Sequence, residues 1–194
     1  NFTDYSENAI SMIAGNVNGL PSFISDGSGG YAVDFGGTKS IKTAVNLPLS
    51  TTDKVTIVFE IKSSMVARGA IIEVANPGTT NGFFIDTNAD GYNIEVADYK
   101  SAYNVGGSVA SISSFTHVAI VIDRSLGTTQ NKMYINKVFN YSNLAGLTND
   151  LSGNFAAAIY HIGQRNGSST NLIGQLKNLK IFNYPLSAAE IAAL

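Results

Sequence analysis

The alternation of apolar with mainly polar side chains along residues 54–62 is the feature that most limits how this chain can fold. Val55, Ile57, Phe59 and Ile61 fall on one side of an extended backbone, and mainly polar residues fall on the other. Successive side chains of a β-strand point to opposite faces, so a period of two indicates a strand with one face in a core. The sequence therefore predicts packed sheets.

A second segment, residues 115–136, predicts a β-hairpin whose strands are joined by a polar connection of about seven residues. Its first strand, residues 117–122, is apolar on both faces, which is typical of a central strand covered on both sides. Its second strand, residues 131–136, alternates more cleanly between apolar and polar positions. We expect the other strands to be added around this hairpin.

Further short strands are predicted where apolar runs lie between turn residues. They comprise residues 10–13, 23–24, 31–35, 39–45, 70–75, 82–86, 92–97, 108–112, 159–162 and 173–182. Residues 31–35 and 39–45 are expected to pair as a hairpin across two glycines. Residues 139–154 are expected to form a long loop.

The C-terminal segment predicts a short helix that begins after Ser187, because Glu190 stands three residues on, as a capping box requires. About eleven strands, this single helix and regularly spaced turn residues indicate an all-β fold, a two-sheet antiparallel β-sandwich. The length fits one domain over residues 1–194.

Composition narrows the range of partners. Only 13% of the residues are charged, the formal net charge is −2, and no run of Lys or Arg occurs. Polarity comes instead from 20 Asn, 20 Ser and 19 Gly. Such a surface has no electrostatic means of binding a polyphosphate, so nucleic acid and anionic membranes are poor candidates as partners. No apolar run approaches the ~20 residues that span a bilayer.

Several segments resemble, in the same order, the laminin-G-like domains of the concanavalin A-like lectin/glucanase superfamily. The hairpin carries Phe-Thr-His-Val-Ala and then Lys-Met-Tyr-Ile-Asn, which resembles that family's central hairpin. The other matching segments are residues 31–37, 55–62, 162–163, 173–183 and 185–191. The chain departs from the family at Phe59 and Phe115, where Trp is usual, and at Lys137, where Gly is usual. The resemblance implies a jelly roll.

The same resemblance implies a choice of functions, because this fold hosts carbohydrate binding, protein adhesion and glycan hydrolysis. The low charge, the absence of cysteine and an N-terminus that reads as a fragment also resemble the receptor-binding domains of phage tail fibres. This implies an extracellular or virion location, a homotrimer, and cell-surface or capsular polysaccharide as partner. A bacterial secreted or cell-surface protein is the alternative.

Hydrolysis is not expected. The glucanases of this fold place paired acids on one strand, where both carboxyl groups reach the same glycosidic bond. Glu60 is alone on its strand, and Glu95 and Asp98 are spaced wrongly for one face of a strand. Neither His117 nor His161 has a Ser or Cys nucleophile in a recognisable setting. The sequence therefore predicts a protein that is not an enzyme.

Calcium is a candidate ligand of one acidic loop. Asp86, Asn88 and Asp90, followed by Gly91, fit the first half of an oxygen-ligand loop. The glutamate that would complete the loop is missing, since Ala97 stands at that position. The same residue types also suit an ordinary hairpin turn, so both interpretations remain open.

Sugar binding requires amides and charged groups for the hydroxyls and an aromatic ring for the apolar face of a pyranose. Tyr92, Tyr99 and Tyr103 offer the rings, and Arg165 and Asn166 offer donors and acceptors. Interleaved Tyr and Asn are also ordinary on a β-surface. We take these five residues as the candidate carbohydrate-binding set.

Two functions follow from these observations. The first is a non-catalytic recognition module that binds glycans or a glycan-bearing cell surface. The second is a structural or protein-interaction module of a larger fibre or surface protein, which an exposed apolar stripe around Val58 would favour.

Overall fold

A computed structural model describes residues 10–64, 67–74, 81–87, 93–98, 104–108, 112–142, 153–166 and 170–194. The strands in these ranges are β1 (Met12–Ala14), β2 (Ser22–Ser25), β3 (Tyr31–Asp34), β4 (Ile41–Thr43), β5 (Lys54–Ser63), β6 (Gly69–Val74), β7 (Phe83–Thr87), β8 (Asn93–Asp98), β9 (Asn104–Ser108), β10 (Thr116–Asp123), β11 (Asn131–Ile135), β12 (Val138–Ser142), β13 (Tyr160–Ile162) and β14 (Gly174–Phe182). A 3₁₀ turn spans Arg124–Thr129, and one α-helix, α1 (Ala188–Ala193), follows β14. Among the described residues, no helix has the length and hydrophobicity that a membrane crossing requires.

The strands form two antiparallel sheets of seven strands each. The first sheet has the order β1-β4-β13-β6-β7-β8-β9, and the second has the order β12-β11-β10-β5-β14-β3-β2. Buried side chains from the facing sides of both sheets form one core between them, including Phe59, Ile61, Ile85, Ile120 and Tyr160. The predicted two-sheet antiparallel sandwich is confirmed.

The hairpin β10–β11 holds the position that its apolar pattern predicts. Strand β10 lies between β11 and β5 in the second sheet. Val118 and Ile120 enter the core between the sheets, whereas Ala119 and Val121 lie in a separate buried cluster on the other face. The central strand is therefore covered on both sides, and the second cover is the C-terminal segment.

Helix α1 supplies that cover. Ser187 and Glu190 form the predicted capping box, in which the Ser187 hydroxyl accepts from the Glu190 backbone N–H and the Glu190 carboxylate accepts from the Ser187 backbone N–H. The cap starts the helix where Ile191 becomes fully buried against the sheet. Val58 is buried in the same cluster, so the outer face around it offers no exposed apolar stripe.

The hairpin predicted from residues 31–35 and 39–45 is wrong. Strand β3 pairs with β2 and β14 in the second sheet, whereas β4 pairs with β1 and β13 in the first. The glycine pair between them, with φ of 57° at Gly36 and 74° at Gly37, turns the chain from one sheet to the other. A local turn pattern cannot distinguish a hairpin from such a crossing.

Two other boundaries also differ from the prediction. The strand expected at residues 108–112 begins earlier, because β9 spans Asn104–Ser108, and residues 109–111 lie outside the described residues. The loop expected at residues 139–154 does not begin at residue 139, because β12 spans Val138–Ser142, and residues 143–152 lie outside the described residues. A two-residue turn with positive φ at Asn136 (49°) and Lys137 (69°) joins β11 to β12, which is the geometry of a type I′ hairpin. Lysine at a position that favours glycine hides this hairpin in the sequence.

A buried ion pair joins the two sheets. Arg124, at the end of β10, donates from Nε to Asp98 Oδ2 at 2.8 Å and from Nη2 to Asp98 Oδ1 at 2.7 Å, and Asp98 ends β8. Both side chains have 0% exposure. Arg124 also donates to the carbonyls of Gly153 and Asn154, and Gln130 donates to Asp98 at 2.8 Å. The bidentate pair therefore fixes the second sheet to the first.

Candidate functional site

The outer face of the first sheet carries a compact group of charged and aromatic side chains. Phe84 and Asp86 alternate with the core residues Phe83 and Ile85 along β7, so they point away from the core. Phe84 stands opposite Glu73 of β6 in the antiparallel register, which places Glu73 on the same face. Three neighbouring positions of the outer face are therefore occupied by a ring and two carboxylates.

Glu73 is fully buried and receives two hydrogen bonds from the segment after β13. Arg165 donates from Nε to Glu73 Oε1 at 3.1 Å, and the Asn166 backbone N–H donates to Oε2 at 2.6 Å. A buried carboxylate needs such partners, because taking an unpaired charge out of water is costly. Glu73 thus fixes Arg165 and Asn166 on the outer face.

The segment that carries Arg165 is held on its other side by a polar network. Gln164 Oε1 accepts from Asn16 Nδ2 at 2.8 Å and from Ser40 Oγ at 2.9 Å. The backbone N–H of Gly163 donates to the Ile71 carbonyl of β6 at 3.0 Å. These bonds tie residues 163–166 to two neighbouring loops and to the sheet, so the position of Arg165 is well determined.

Asp86 is the second buried carboxylate, and its partner is Arg68. The Arg68 Nε contacts Asp86 Oδ2 in an ion pair. Burial raises the pKa of Asp86 to about 6, and the Arg68 guanidinium offsets only part of that shift. Arg165 also acts electrostatically on Asp86, which places both arginines within range of the same acid.

Phe84 lies beneath both arginines. The guanidinium carbon of Arg165 is 5.1 Å from the centre of the ring, and that of Arg68 is 5.7 Å away. Both distances fall within the range of cation–π attraction. We call the five residues Arg68, Glu73, Phe84, Asp86 and Arg165 the Phe84 cluster.

The structure brings three of the predicted site residues together and leaves the others untested. Arg165 and Asp86 belong to the Phe84 cluster, and Asn166 bonds to it. The other predicted residues lie outside the described residues; they are Tyr92, Tyr99, Tyr103, Asn88 and Asp90. Sequence reasoning missed Arg68, Glu73 and Phe84. The available signal was weak, since Arg68 lies two residues before the predicted strand 70–75 and Arg165 lies three residues after the predicted strand 159–162.

The fit of calcium to the described part of the acidic loop is poor. Asp86 lies within β7 and its carboxylate already contacts Arg68, so a cation at this carboxylate would have to displace a guanidinium. The described residues contain no group of three His, Cys, Asp or Glu side chains that could hold a metal ion. Calcium binding by Asp86, Asn88 and Asp90 stays a prediction.

The two histidines lie on different sheets, on faces directed away from the core. His161 stands between Lys42 and Glu73 in the register of the first sheet, and His117 stands opposite Glu60 in the second. Burial lowers the pKa of both imidazoles. Among the described residues, the buried Nδ1 of His117 has no hydrogen-bond partner.

The fold is a β-sandwich that carries a charged and aromatic cluster on the outer face of one sheet, and comparison with known families gives its class. Residues 35–192 match the laminin-G-like family described as the concanavalin A-like lectin/glucanases superfamily. The chain belongs to this superfamily. A comparison with curated proteins gave no match.

Solved structures share the fold at low sequence identity. Domain 4 of the extracellular arabinanase from Geobacillus stearothermophilus, in complex with arabinotriose, has a TM-score of 0.67 and 16% identity over 95% of this chain and 87% of that one. The CBM40 of the Ruminococcus gnavus sialidase, bound to α2,3-sialyllactose, has a TM-score of 0.61 and 16% identity over 84% and 95%. The binding domain of botulinum neurotoxin DC, in complex with rat synaptotagmin II, has a TM-score of 0.71 and 14% identity. That match covers 98% of this chain and 47% of the neurotoxin chain.

Proposed function

We propose that this chain is a non-catalytic recognition module that binds glycans through the outer face of its first sheet. The observation that carries the proposal is the Phe84 cluster, in which two partly exposed arginines are held in fixed positions by two buried carboxylates. Donors that are held in place by carboxylates on two neighbouring strands suit the recognition of hydroxyl and carboxylate oxygens. The arabinotriose and sialyllactose complexes of similarly folded domains support a sugar as the ligand.

The acids of this face are poorly placed for hydrolysis, which supports a role in binding alone. Asp86 and Glu95 are partners in the register between β7 and β8, so they are the closest approach to a carboxylate pair among the described strands of the first sheet. A retaining hydrolase needs both carboxyl groups at the glycosidic bond. Asp86 is 1% exposed and contacts Arg68, so a substrate cannot reach it without breaking the ion pair.

A chain that carries both Arg165→Gln and Glu73→Gln tests the proposal, and we expect this chain to lose glycan binding. Arg165→Gln removes the charged donors, and we expect affinity for the best glycan of an array to fall at least about tenfold. Glu73→Gln is introduced in the same chain, so that no buried carboxylate is left without its partner. Lys62→Ala, on the outer face of the second sheet, is the matched control and should bind normally.

The binding screen is run once with calcium and once with EDTA. Loss of binding in EDTA would support calcium binding by Asp86, Asn88 and Asp90. Binding that is equal in both buffers would remove calcium from the proposal. If the unmodified protein binds none of the neutral and acidic glycans in the screen, including capsular polysaccharides, the glycan-binding proposal itself is contradicted.

A second candidate is a protein-interaction module, favoured by one apolar edge. Val138 and Phe139 of β12, the edge strand of the second sheet, are 69% and 54% exposed. Exposed large apolar side chains on an edge strand suit a contact with another protein chain. A homotrimer in light scattering that dissociates in a Phe139→Asp variant would favour this candidate. An extracellular setting, on a tail fibre or a bacterial surface, belongs to both candidates as a proposal.

A further inference from the structure

We propose that Arg68 and Arg165 form a two-guanidinium clamp for the carboxylate groups of an acidic glycan. This inference depends on the proposed function and narrows its ligand from glycans in general to those that carry carboxylates. The Phe84 cluster is the site, and the two arginines are its ligand-binding residues.

The unused hydrogen-bond donors of the two arginines are the first observation. A guanidinium presents five N–H donors in a planar fork. Arg68 uses its Nε toward Asp86, and Arg165 uses its Nε toward Glu73. Among the residues that the structure describes, none accepts a hydrogen bond from a terminal nitrogen of either guanidinium. The side chains are 43% and 29% exposed, so solvent and ligands reach these donors.

Arg124, the third arginine of the chain, shows the contrast. Its Nε, Nη1 and Nη2 all donate to protein acceptors, and its side chain is fully buried. A structural arginine in this fold therefore has its donors satisfied. Arg68 and Arg165 differ from it in exposure and in bonding, which is the pattern expected of residues that keep their donors for a ligand.

The orientation of the two forks is the second observation. Each Nε edge is fixed by a buried carboxylate, and the Phe84 ring lies under both guanidinium groups. The edge that remains, formed by Nη1 and Nη2, is one that matches the two oxygens of a carboxylate. Because the side chains are already held, little rotamer entropy is lost when a ligand binds.

The positive and negative charges of this face nearly balance, so we expect a ligand to be recognised by close hydrogen bonds and not by long-range electrostatic attraction. The positive groups Arg68 and Arg165 are compensated by Glu73 and Asp86, and Glu95 adds a further acid. The whole chain has a formal net charge of −2. Such a surface does not concentrate a dense polyanion. We therefore expect recognition of separate carboxylates along a sugar chain, with a weak dependence on salt.

The experiment compares carboxylate sugars with matched neutral sugars by isothermal titration calorimetry. Two pairs are used, sialyllactose with lactose and oligogalacturonate with its methyl ester, and heparin is the sulfated comparison. We expect at least one carboxylate sugar to bind about tenfold tighter than its neutral counterpart, because hydrogen bonds to charged groups are the stronger ones. Arg68→Lys and Arg165→Lys keep the charge but lose the fork, so each should reduce that preference about tenfold.

Lys62→Ala on the opposite sheet is the control for charge and should leave the preference unchanged. Equal binding of acidic and neutral sugars, unaffected by either lysine variant, would overturn the clamp and leave the proposed function standing. Tighter binding of heparin with a steep salt dependence would overturn the carboxylate specificity. If none of these probes binds but a wider glycan array identifies a neutral ligand, the clamp proposal is wrong. If the wider array shows no binding either, both the clamp and the proposed function are wrong. Should a lysine variant lose its folded circular dichroism spectrum, the acid-to-ester comparison on the unmodified protein decides.

Discussion

Arg124→Met is expected to lower the free energy of unfolding by about 3–5 kcal/mol, since removal of one partner leaves the other as an uncompensated buried charge. The side chain of Asp98 has 0% exposure. Its carboxylate accepts two hydrogen bonds from the Arg124 guanidinium and one from the Gln130 amide. Methionine retains the apolar stem but none of the donors. The carbonyls of Gly153 and Asn154 would also lose their shared donor.

The measurement is chemical denaturation followed by far-UV circular dichroism, which suits a chain without tryptophan. Lys54→Met is the control, because it breaks a pair with Asp123 at 3.6 Å in which the lysine is 34% exposed. Exposed pairs contribute about 0–1 kcal/mol. Equal losses in the two variants would show that the buried pair is not special. In an Asp98→Leu/Arg124→Met chain we expect part of the stability to return, because no charge is left unpaired.

Gly163→Ala is expected to be the next most damaging change, at about 2–5 kcal/mol, because it combines an overpacked core with strained backbone. Gly163 has φ of 81°, and a Cβ atom at this position would overlap the ring of Phe35. Phe35 is a core residue with 1% exposure, so a shift of its ring would disturb the packing around it. Because Gly163 starts the segment that carries Arg165, the substitution should also weaken glycan binding.

Gly27→Ala separates the two causes. Gly27 has nearly the same φ, 82°, but a Cβ atom there would meet open space. Its cost is the backbone term alone, about 1–2 kcal/mol. Thermal denaturation of both variants measures the difference, and a Gly163→Ala loss no larger than that of Gly27→Ala would contradict the proposed overlap with Phe35.

Local patterns predict the strands of this protein well and its long-range pairings less well. The hairpin β10–β11 and the capped helix α1 were predictable because alternation and capping depend on neighbouring residues. The sequence predicts that residues 39–45 pair with residues 31–35, but β4 lies in the other sheet. A Gly-Gly turn looks the same whether the chain folds back or crosses to the other layer. Strand β12 was missed because Lys137 occupies a position where φ is positive.

The site shows the same division. The polar composition of their loop predicts Arg165 and Asn166 as candidate site residues. Phe84 was missed because an aromatic residue inside a strand suggests the core, and only its register with Glu73 places it on the outer face. Burial of Glu73 depends on Arg165, which is 92 residues away in the sequence. A local sequence pattern therefore cannot predict the contact between Glu73 and Arg165.

The position of β14 has a consequence for how the chain is completed during synthesis. Strands β2 and β3 come early in the sequence, yet β3 joins the second sheet only through β14, which inserts between β3 and β5. On the ribosome, the early hairpin must wait for residues 174–182 to emerge before it has a neighbour. Until then β5 presents an open edge, the state in which a nascent chain most needs protection from pairing with another.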